Sequence, residues 1–588
     1  MARPVRIANF SGFYGDRFSA AKEMLDGGPI DFLTGDYLAE LTLMILWKAR
    51  RKDPAAGFAT TFLRQMEHVL GEAVERGVKI VTDAGGLNPA GLADRMRELA
   101  ERLGIAVKIA HIEGDDLMDR LDDLQRDGLD LRHLDTGRPL AELDVEPMTA
   151  NAYLGSWGVV TALDRGADVV ICPRVTDAVL AVAPAAWWHG WRRDDWDRLA
   201  AAVVAGHVIE CGAQTTGGNY PFHDELGDMR SPGFPIAEIA EDGTTVITKH
   251  PSHGGAVTVG TVTAQLLYEI GGPRYLNPDV VARVDTMQLE QEALDRVRIA
   301  GVRGEPSPPE TKVCINYSGG YRNAMTFVLA GLDVDRKAKM ATDALLGKLG
   351  GAERFETFDV QLVESGASDP PTNERAFSYL RVTVKDRDRM KVGRAFSNAC
   401  IELALANYAG FFATTPPQPE TEYTVYWPTL VPAGVVDEVV IAPDGERIAI
   451  AQERGGTAAE IPSPPIPDGT APDGATRMAP LGRVMGARSG DKGGNANCGV
   501  WARSDAGYAW LRGFLTVERL RELLPEARGL DVERHELANL RALNFVLRGF
   551  LGEGVMSSTS MDPQAKSLGE YLRAKVVYVP EVLLEGSP

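Results

Sequence analysis

The sequence is short of the features that most directly announce a function. Only five cysteines occur in 588 residues, at 172, 211, 314, 400 and 498, and no two form a C-x-x-C pair. That excludes a disulfide framework and a thiolate zinc knuckle, and it fits free thiols in a reducing cytoplasm. No stretch approaches the roughly 20 apolar residues of a membrane span. The opening MARPVRIANF runs straight into a strand-like pattern with no signal-peptide apolar core. A cytoplasmic protein without a membrane partner is expected. Positive charge is also scarce: 62 Lys and Arg against 82 Asp and Glu leave a formal charge of −20. Nucleic acid and anionic lipid are therefore excluded as main partners. No G-x-G-x-x-G follows the first strand and no G-x-x-x-x-G-K-[ST] occurs, so neither a Rossmann dinucleotide site nor a P-loop is expected. H-E-x-x-H, EF-hand and G-x-S-x-G patterns are missing too, which argues against a resident metal and against a serine hydrolase.

What the chain does contain is alternation. Short apolar runs at Val5–Phe10, Ile30–Leu33, Lys79–Thr82, Val107–Ile112 and Val169–Cys172 each lead into a polar loop and then a helical pattern. That rhythm predicts a parallel sheet covered by helices, with ligands gathered at the carboxyl ends of the strands. Asp16, Arg17, Asp36, Asp83, Asn88, Glu113, Arg174 and Asp177 fall in those loops. Each serves equally well as a helix cap. From about Glu310 the order strand–helix–strand–strand–helix–strand suggests a ferredoxin-like layer, with one long helix over Arg389–Ala406. The run IPSPPIPDGTAPDG, residues 461–474, reads as a stiff exposed linker. The expected fold is a parallel-sheet α/β body (1–309) with an α+β, ferredoxin-like subdomain (310–460). A Pro/Gly-rich linker (461–476) and a small ferredoxin-like α+β domain (477–588) would follow.

Three polar glycine clusters stand out. ARSGDKGGNAN, Ala487 to Asn497, combines Gly490, Gly493 and Gly494 with Arg488, Ser489, Asp491, Lys492 and Asn495. Such a loop can turn main-chain N–H groups toward an anion, or simply make a tight turn. ECGAQTTGGNY, Glu210 to Tyr220, adds a carboxylate beside a thiol, with Gln214 and Asn219 able to bind a carbonyl. KHPSHGGAVT, Lys249 to Thr258, adds His250 and His253, which titrate near neutrality and suit acid/base work. Trp187, Trp188 and Trp191 form an aromatic cluster suited to a core or a subunit interface.

GDKGGNAN, ECGAQTTGGNY, TDAGGLNPAG (Thr82 to Gly91) and TAQLLYEIGGPRYLNPDV (Thr263 to Val280) together resemble the AtuA family, named for acyclic terpene utilisation. The likeness runs over nearly the whole chain. It implies a large α/β body followed by a smaller ferredoxin-like domain that carries the GDKG loop. It also implies a bacterial catabolic setting, near carboxylases and other enzymes of branched acyl-CoA breakdown.

With that likeness, the residues suggest an enzyme acting on a branched or isoprenoid acid, as a coenzyme A thioester, by hydratase- or lyase-type acid/base chemistry. Coenzyme A would enter as part of the substrate, with no tightly bound cofactor. Glu210, His250 and His253 are the candidate proton carriers. Asp83, Asn88, Arg174, Asp177, Gln214, Asn219 and the residues Arg488, Ser489, Asp491, Lys492, Gly493 and Asn495 are the candidate binding groups. A homodimer or homotetramer is expected. The alternative is a non-catalytic accessory or assembly protein for an acyl-CoA carboxylase.

Overall fold

The computed structural model describes residues 3–457, 460–465 and 469–585. Residues 466–468 of the expected linker lie outside the described residues. The chain divides into two compact units. One comprises Met1–Asn316, Tyr426–Val555 and Gln564–Pro588; the other comprises Tyr317–Val425 and Met556–Pro563.

The first unit is built on the expected alternation. Strands β1 (Val5–Ser11), β2 (Phe32–Gly35), β3 (Lys79–Thr82) and β4 (Ile109–Glu113) alternate with helices α1 (Ala20–Asp26), α2 (Glu40–Lys52), α3 (Thr60–Glu75) and α4 (Pro89–Leu103). Short helix α5 (Leu121–Arg126), strand β5 (Pro147–Ala152), helix α6 (Trp157–Asp164) and strand β6 (Val169–Ile171) follow, then α7 (Val179–His189) and α8 (Trp196–Ile209). The strands β1-β2-β3-β6-β4 pair in parallel in that order. Strands β7 (Pro235–Ile239) and β8 (Thr245–Lys249) extend the sheet antiparallel beyond β1, and Val439–Ile441 does so beyond β4. The strands are too short to show a period and are nearly all buried, as strands covered on both faces must be.

The helices from the first half cover one face, where Met24, Phe62, Met66, Leu92 and Met96 share a core with Phe10, Leu33 and Ile80. Helices α6, α7 and α8 lie on the other face. The chain therefore changes face between β3, which feeds α4, and β6, which feeds α7. In a doubly wound sheet the crevice outside these two strand ends is where a ligand fits. Helix α4 shows how locally determined some of this is. Pro89 occupies its first turn, Asn88 caps it by accepting from the Gly91 N–H at 2.9 Å, and Gly104 ends it at φ 69°.

The tryptophan cluster is used inside the chain. Trp187 packs edge-on against Phe32, Arg3 sits over Trp188, and Trp191 is buried with its Nε1 donating to the Glu241 carbonyl.

The compact units cut the chain at other points than the 309/310 and 460/461 boundaries read from sequence. After Tyr426 the chain returns to the main sheet, where Val439–Ile441 pairs with β4. Such pairing joins segments over 300 residues apart, and nothing local encodes it. Within the same unit, Met485–Lys492, Asn495–Ala502, Ala542–Leu547 and Val532–Leu537 form a four-stranded antiparallel sheet in that order. Helices Asp505–Phe514, Val517–Leu523 and Leu568–Arg573 pack on it around a core of Leu511, Leu520, Leu543 and Phe545.

In the second unit, Thr357–Val363 and Phe377–Asp386 pair antiparallel, and the latter pairs with residues 321–330. Helix Val334–Leu349 closes its core over Phe327, Leu380 and Phe396. The single helix expected over Arg389–Ala406 is instead a π-turn at Lys391–Ala395 and a short helix at Phe396–Ile401. Gly393 is the cause: its ψ of −118° is not helical, and glycine alone adopts such a value freely.

Glu438 gives a first prediction. Its side chain is buried; Oε2 accepts from Gln452 Nε2 at 2.8 Å, and Oε1 has no partner. Burial pushes its pKa up to about 7 from the usual carboxylate value near 4.5. The folded chain thus holds a proton there that the unfolded chain releases above about pH 4.5. This group's contribution falls as pH rises from about 4.5 to about 7 and is flat beyond. Glu438→Gln should remove one proton's worth of slope, about 1.4 kcal/mol per pH unit, in that window. Denaturant unfolding at pH 5, 6, 7 and 8 measures it, and an unchanged slope would refute the assignment.

Candidate active site

The floor of the site is the crevice between β3 and β6. Asp36 follows β2, Asp83 follows β3 and Arg174 follows β6, and all three side chains are buried. Asp83 Oδ1 accepts the Tyr37 N–H at 2.8 Å, while its Oδ2 has no partner. Burial pushes Asp83 up to about 7 and Asp36 well above the carboxylate range, where the charges of Asp83 and Asp177 add to the effect. Arg174 counters these acids. Its guanidinium donates to the Leu38 carbonyl at 3.2 Å and to Asp177 at 3.0 Å, and lies over the Tyr153 ring, 4.2 Å from its centroid.

One wall is the start of the 210–220 loop, held against the end of β1. Asn9 Nδ2 donates to the Glu210 carbonyl at 3.3 Å. A Cβ on Gly12 would meet the Cys211 carbonyl carbon at 2.6 Å, so only glycine permits this approach. The Glu210 side chain, buried at the end of α8, accepts from His207 Nδ1 at 3.0 Å. Glu210 Oε2 and His207 Nε2 have no protein partner. Burial pushes Glu210 up to about 7, with Asp177 and Glu269 adding to the rise and His207 opposing it. For His207, burial disfavours the charged ring, but Glu210 outweighs it and the net shift is upward. The Tyr275 ring packs 5.1 Å from the imidazole.

Burial, with the charges of Glu210 and Glu269, holds the Cys211 thiol well above its ordinary range, which opposes the thiolate form a nucleophile needs. The opposite wall is aromatic and aliphatic: Leu43, Tyr153, Cys314 and Tyr426 form a small apolar cluster with Leu87 against it.

The roof comes from the carboxyl-terminal sheet. The GDKG run is a β-hairpin: residues 485–492 pair with 495–502 around a two-residue Gly493-Gly494 turn, with φ 63° at Gly493. The expected nest of converging N–H groups is not what forms, because Gly490 pairs with Asn497 and Lys492 with Asn495 in a regular ladder. Gly490 instead clears space for a ring, since a Cβ there would meet Tyr268 at 2.3 Å. Arg488 lies over that ring at 4.1 Å and donates to Gln214 Oε1. Lys492 Nζ donates to the Glu269 carbonyl at 2.8 Å. Lys492 reaches solvent, yet enclosing protein and the nearby Lys312 push it below the usual lysine range. Burial, with the charges of Glu269 and Glu40, pushes Asp491 up to about 8.

The structure thus brings Asp83, Arg174, Asp177, Glu210, Gln214, Arg488, Asp491 and Lys492 into one linked group, through hydrogen bonds and through charges shared with Glu40 and Glu269. It also brings in His207, one helical turn before Glu210, and Glu40, Tyr268, Glu269, Tyr275 and Lys312, which residue-level reading did not single out. Other candidates lie elsewhere or are occupied. Asn88 is a helix cap whose Nδ2 donates to the Ala55 and Ala56 carbonyls. Ser489 Oγ donates to the Ala565 carbonyl and accepts the Gly569 N–H, and Asn495 bonds Asp135 and the Gly549 N–H. Asn219 is exposed at φ 60°. His250 is buried with Nε2 donating to the Met24 carbonyl at 2.9 Å, and His253 packs beside it. Burial lowers both histidines, and the charges acting on them are those of Glu23, Arg6, Arg17, Arg76 and Lys249, not those around Glu210. Among the described residues, no three His, Cys, Asp or Glu side chains are gathered as a metal ion would need.

Chemically, the cleft offers carboxyl groups poised near neutrality, cations above them and an aromatic wall. No curated protein and no solved structure gives a match to the chain. The family model described as acyclic terpene utilisation family protein AtuA matches residues 5–442, and the AtuA ferredoxin-like domain matches residues 479–578. An α/β body followed by a carboxyl-terminal ferredoxin-like domain is thus this chain's architecture, and the chain belongs to the AtuA family, implicated in acyclic terpene utilisation.

Proposed function

We propose that the cleft binds a branched acyl-coenzyme A thioester, or the parent acid, and moves a proton at the carbon next to the carbonyl. Hydration, dehydration or carbon–carbon cleavage would follow from that step. The observation that carries this reading is the buried Glu210–His207 pair, with a free Glu210 Oε2 and a pKa near 7. A carboxylate poised near the operating pH serves as base in one direction and acid in the other. His207 is a positioning residue here: it holds one carboxylate oxygen and tunes the other. The Leu43–Tyr153–Tyr426 wall suits an aliphatic chain, and the rim cations suit charge developing on oxygen.

The test is proton exchange in deuterium oxide with candidate branched acyl-coenzyme A thioesters, followed by mass spectrometry. Deuterium gained at the carbon next to the thioester carbonyl, dependent on this protein alone, supports the reading. Absence of exchange with every thioester, together with tight binding to an acyl-CoA carboxylase, would replace it by the accessory role.

A further inference from the structure

We infer that the substrate carries a carboxylate of its own, apart from the reacting carbonyl, and that Lys312 and Lys492 grip it. This rests on the acyl substrate proposed above and adds its class: an acyl chain bearing a second, anionic end.

The argument starts from how the two lysines are held. Lys312 opens the strand Glu310–Ala330, and its main-chain carbonyl accepts the Tyr153 N–H at 2.9 Å, which fixes its base. Its Nζ lies over two rings, 4.8 Å from the centroid of Tyr153 and 5.4 Å from that of Tyr426. Its nearest carboxylate, Glu40, is 4.0 Å away, the outer limit of an ion pair. Lys492 donates to a neutral acceptor, the Glu269 carbonyl. The same Tyr426 ring that carries Lys312 lies 3.3 Å from where a Cβ on Gly493 would stand. One aromatic ring therefore brings the Lys312 ammonium up to the turn that presents Lys492.

Two ammonium groups gathered where the nearest carboxylate, Glu40, stands only at the outer limit of an ion pair with Lys312 still repel each other, and each keeps donors to spare. An anion between them relieves the repulsion. Its charge is limited by the surroundings: Glu40 and Glu269 stand close enough to act on Lys492, and both also act on Asp491. A dianionic phosphate would meet all three carboxyls, whereas a singly charged carboxylate matches two point cations.

The experiment needs no turnover. The rate at which methyl acetimidate modifies Lys492, followed by peptide mass spectrometry, is compared with and without saturating glutarate. Glutaramide serves as the neutral analogue and adenosine 3′,5′-bisphosphate as the phosphate probe. Glutarate should slow modification of Lys492 about fivefold or more, as expected for a charge-assisted contact, and glutaramide should not. Lys312→Met should abolish the protection and Lys312→Arg should keep it. Equal rates with and without glutarate in the unsubstituted protein would overturn the assignment. So would full protection in a folded Lys312→Met variant, or protection by the bisphosphate but not by glutarate. Glu210→Gln should leave protection intact. Lost protection with intact proton exchange sinks this inference alone, and the reverse sinks the acid/base reading alone.

Discussion

Replacing Glu210 by glutamine should lower proton exchange by about 10²–10⁴-fold, the usual contribution of a positioned acid/base group. The fold should survive. Glutamine keeps the size of the side chain and an oxygen for His207 Nδ1, and it removes a carboxyl whose ionisation burial opposes. Because the folded pKa is raised, the ionised group costs stability above pH 7, so the variant should unfold at higher denaturant than the parent at pH 8. A second variant separates positioning from catalysis. His207 opposes the upward shift of Glu210, so His207→Gln should move the acid limb of the pH–rate profile to higher pH while leaving some activity. Full exchange activity in a folded Glu210→Gln variant would transfer the role of base to Asp177 or Glu269, the acids that act on Glu210 across the cleft.

The strand-loop-helix rhythm of the first 180 residues was readable because each element is local. Ile80, Val81 and Thr82 are all β-branched, and Asn88-Pro89 starts a helix by capping chemistry alone. The floor of the cleft was readable for a related reason: Asp83 and Arg174 follow strands whose carboxyl ends must lie side by side in a parallel sheet. Two misplacements have physical causes. His250 and His253 share the composition of a catalytic pair, but they close the end of α1, where the His250 ring sits against Gly27. Asn88 has the polarity of a ligand group and spends it on backbone. Glu40 and Lys312 carry no local signal, since they meet the site through segments far apart in sequence, whereas His207 stands one helical turn before Glu210 and that i,i+3 spacing is itself a local signal. Tyr268, Glu269 and Tyr275 did carry one. They lie within TAQLLYEIGGPRYLNPDV, a stretch that marks the family but whose polar members have no pattern pointing to chemistry.

The largest structural effect is expected at Asn497, because it clasps the carboxyl-terminal domain to that stretch. Its side chain is fully buried. Oδ1 accepts the Glu269 N–H at 2.8 Å, and Nδ2 donates to the Leu267 carbonyl at 2.9 Å and to Asn544 Oδ1 at 2.5 Å. Asn544 Nδ2 continues the clasp to the Ile270 and Gly271 carbonyls at 3.0 and 2.9 Å. Between them the two asparagines satisfy the backbone of residues 267–271, where Glu269 stands at φ 57°, a left-handed conformation that side chains adopt at a cost. Asn497→Leu keeps the branched shape with somewhat larger methyl ends and leaves a buried N–H, a carbonyl and the Asn544 oxygen without partners. At about 1–3 kcal/mol for each orphaned group, some 3 kcal/mol or more of local stability should be lost. Amide hydrogen exchange over residues 267–271 should then accelerate by about 10²-fold, while the β1–β3 amides stay protected. Glu269, Tyr268 and the Lys492 contact would lose their fixed positions, so proton exchange should fall with it. Lys492→Ala removes one hydrogen bond to a carbonyl that reaches solvent, and it should leave the 267–271 amides protected. If Asn497→Leu also leaves them protected, the clasp is not what holds this wall of the cleft, and the glycine fit of Gly490 and Gly499 against Tyr268 and Leu267 must hold it instead.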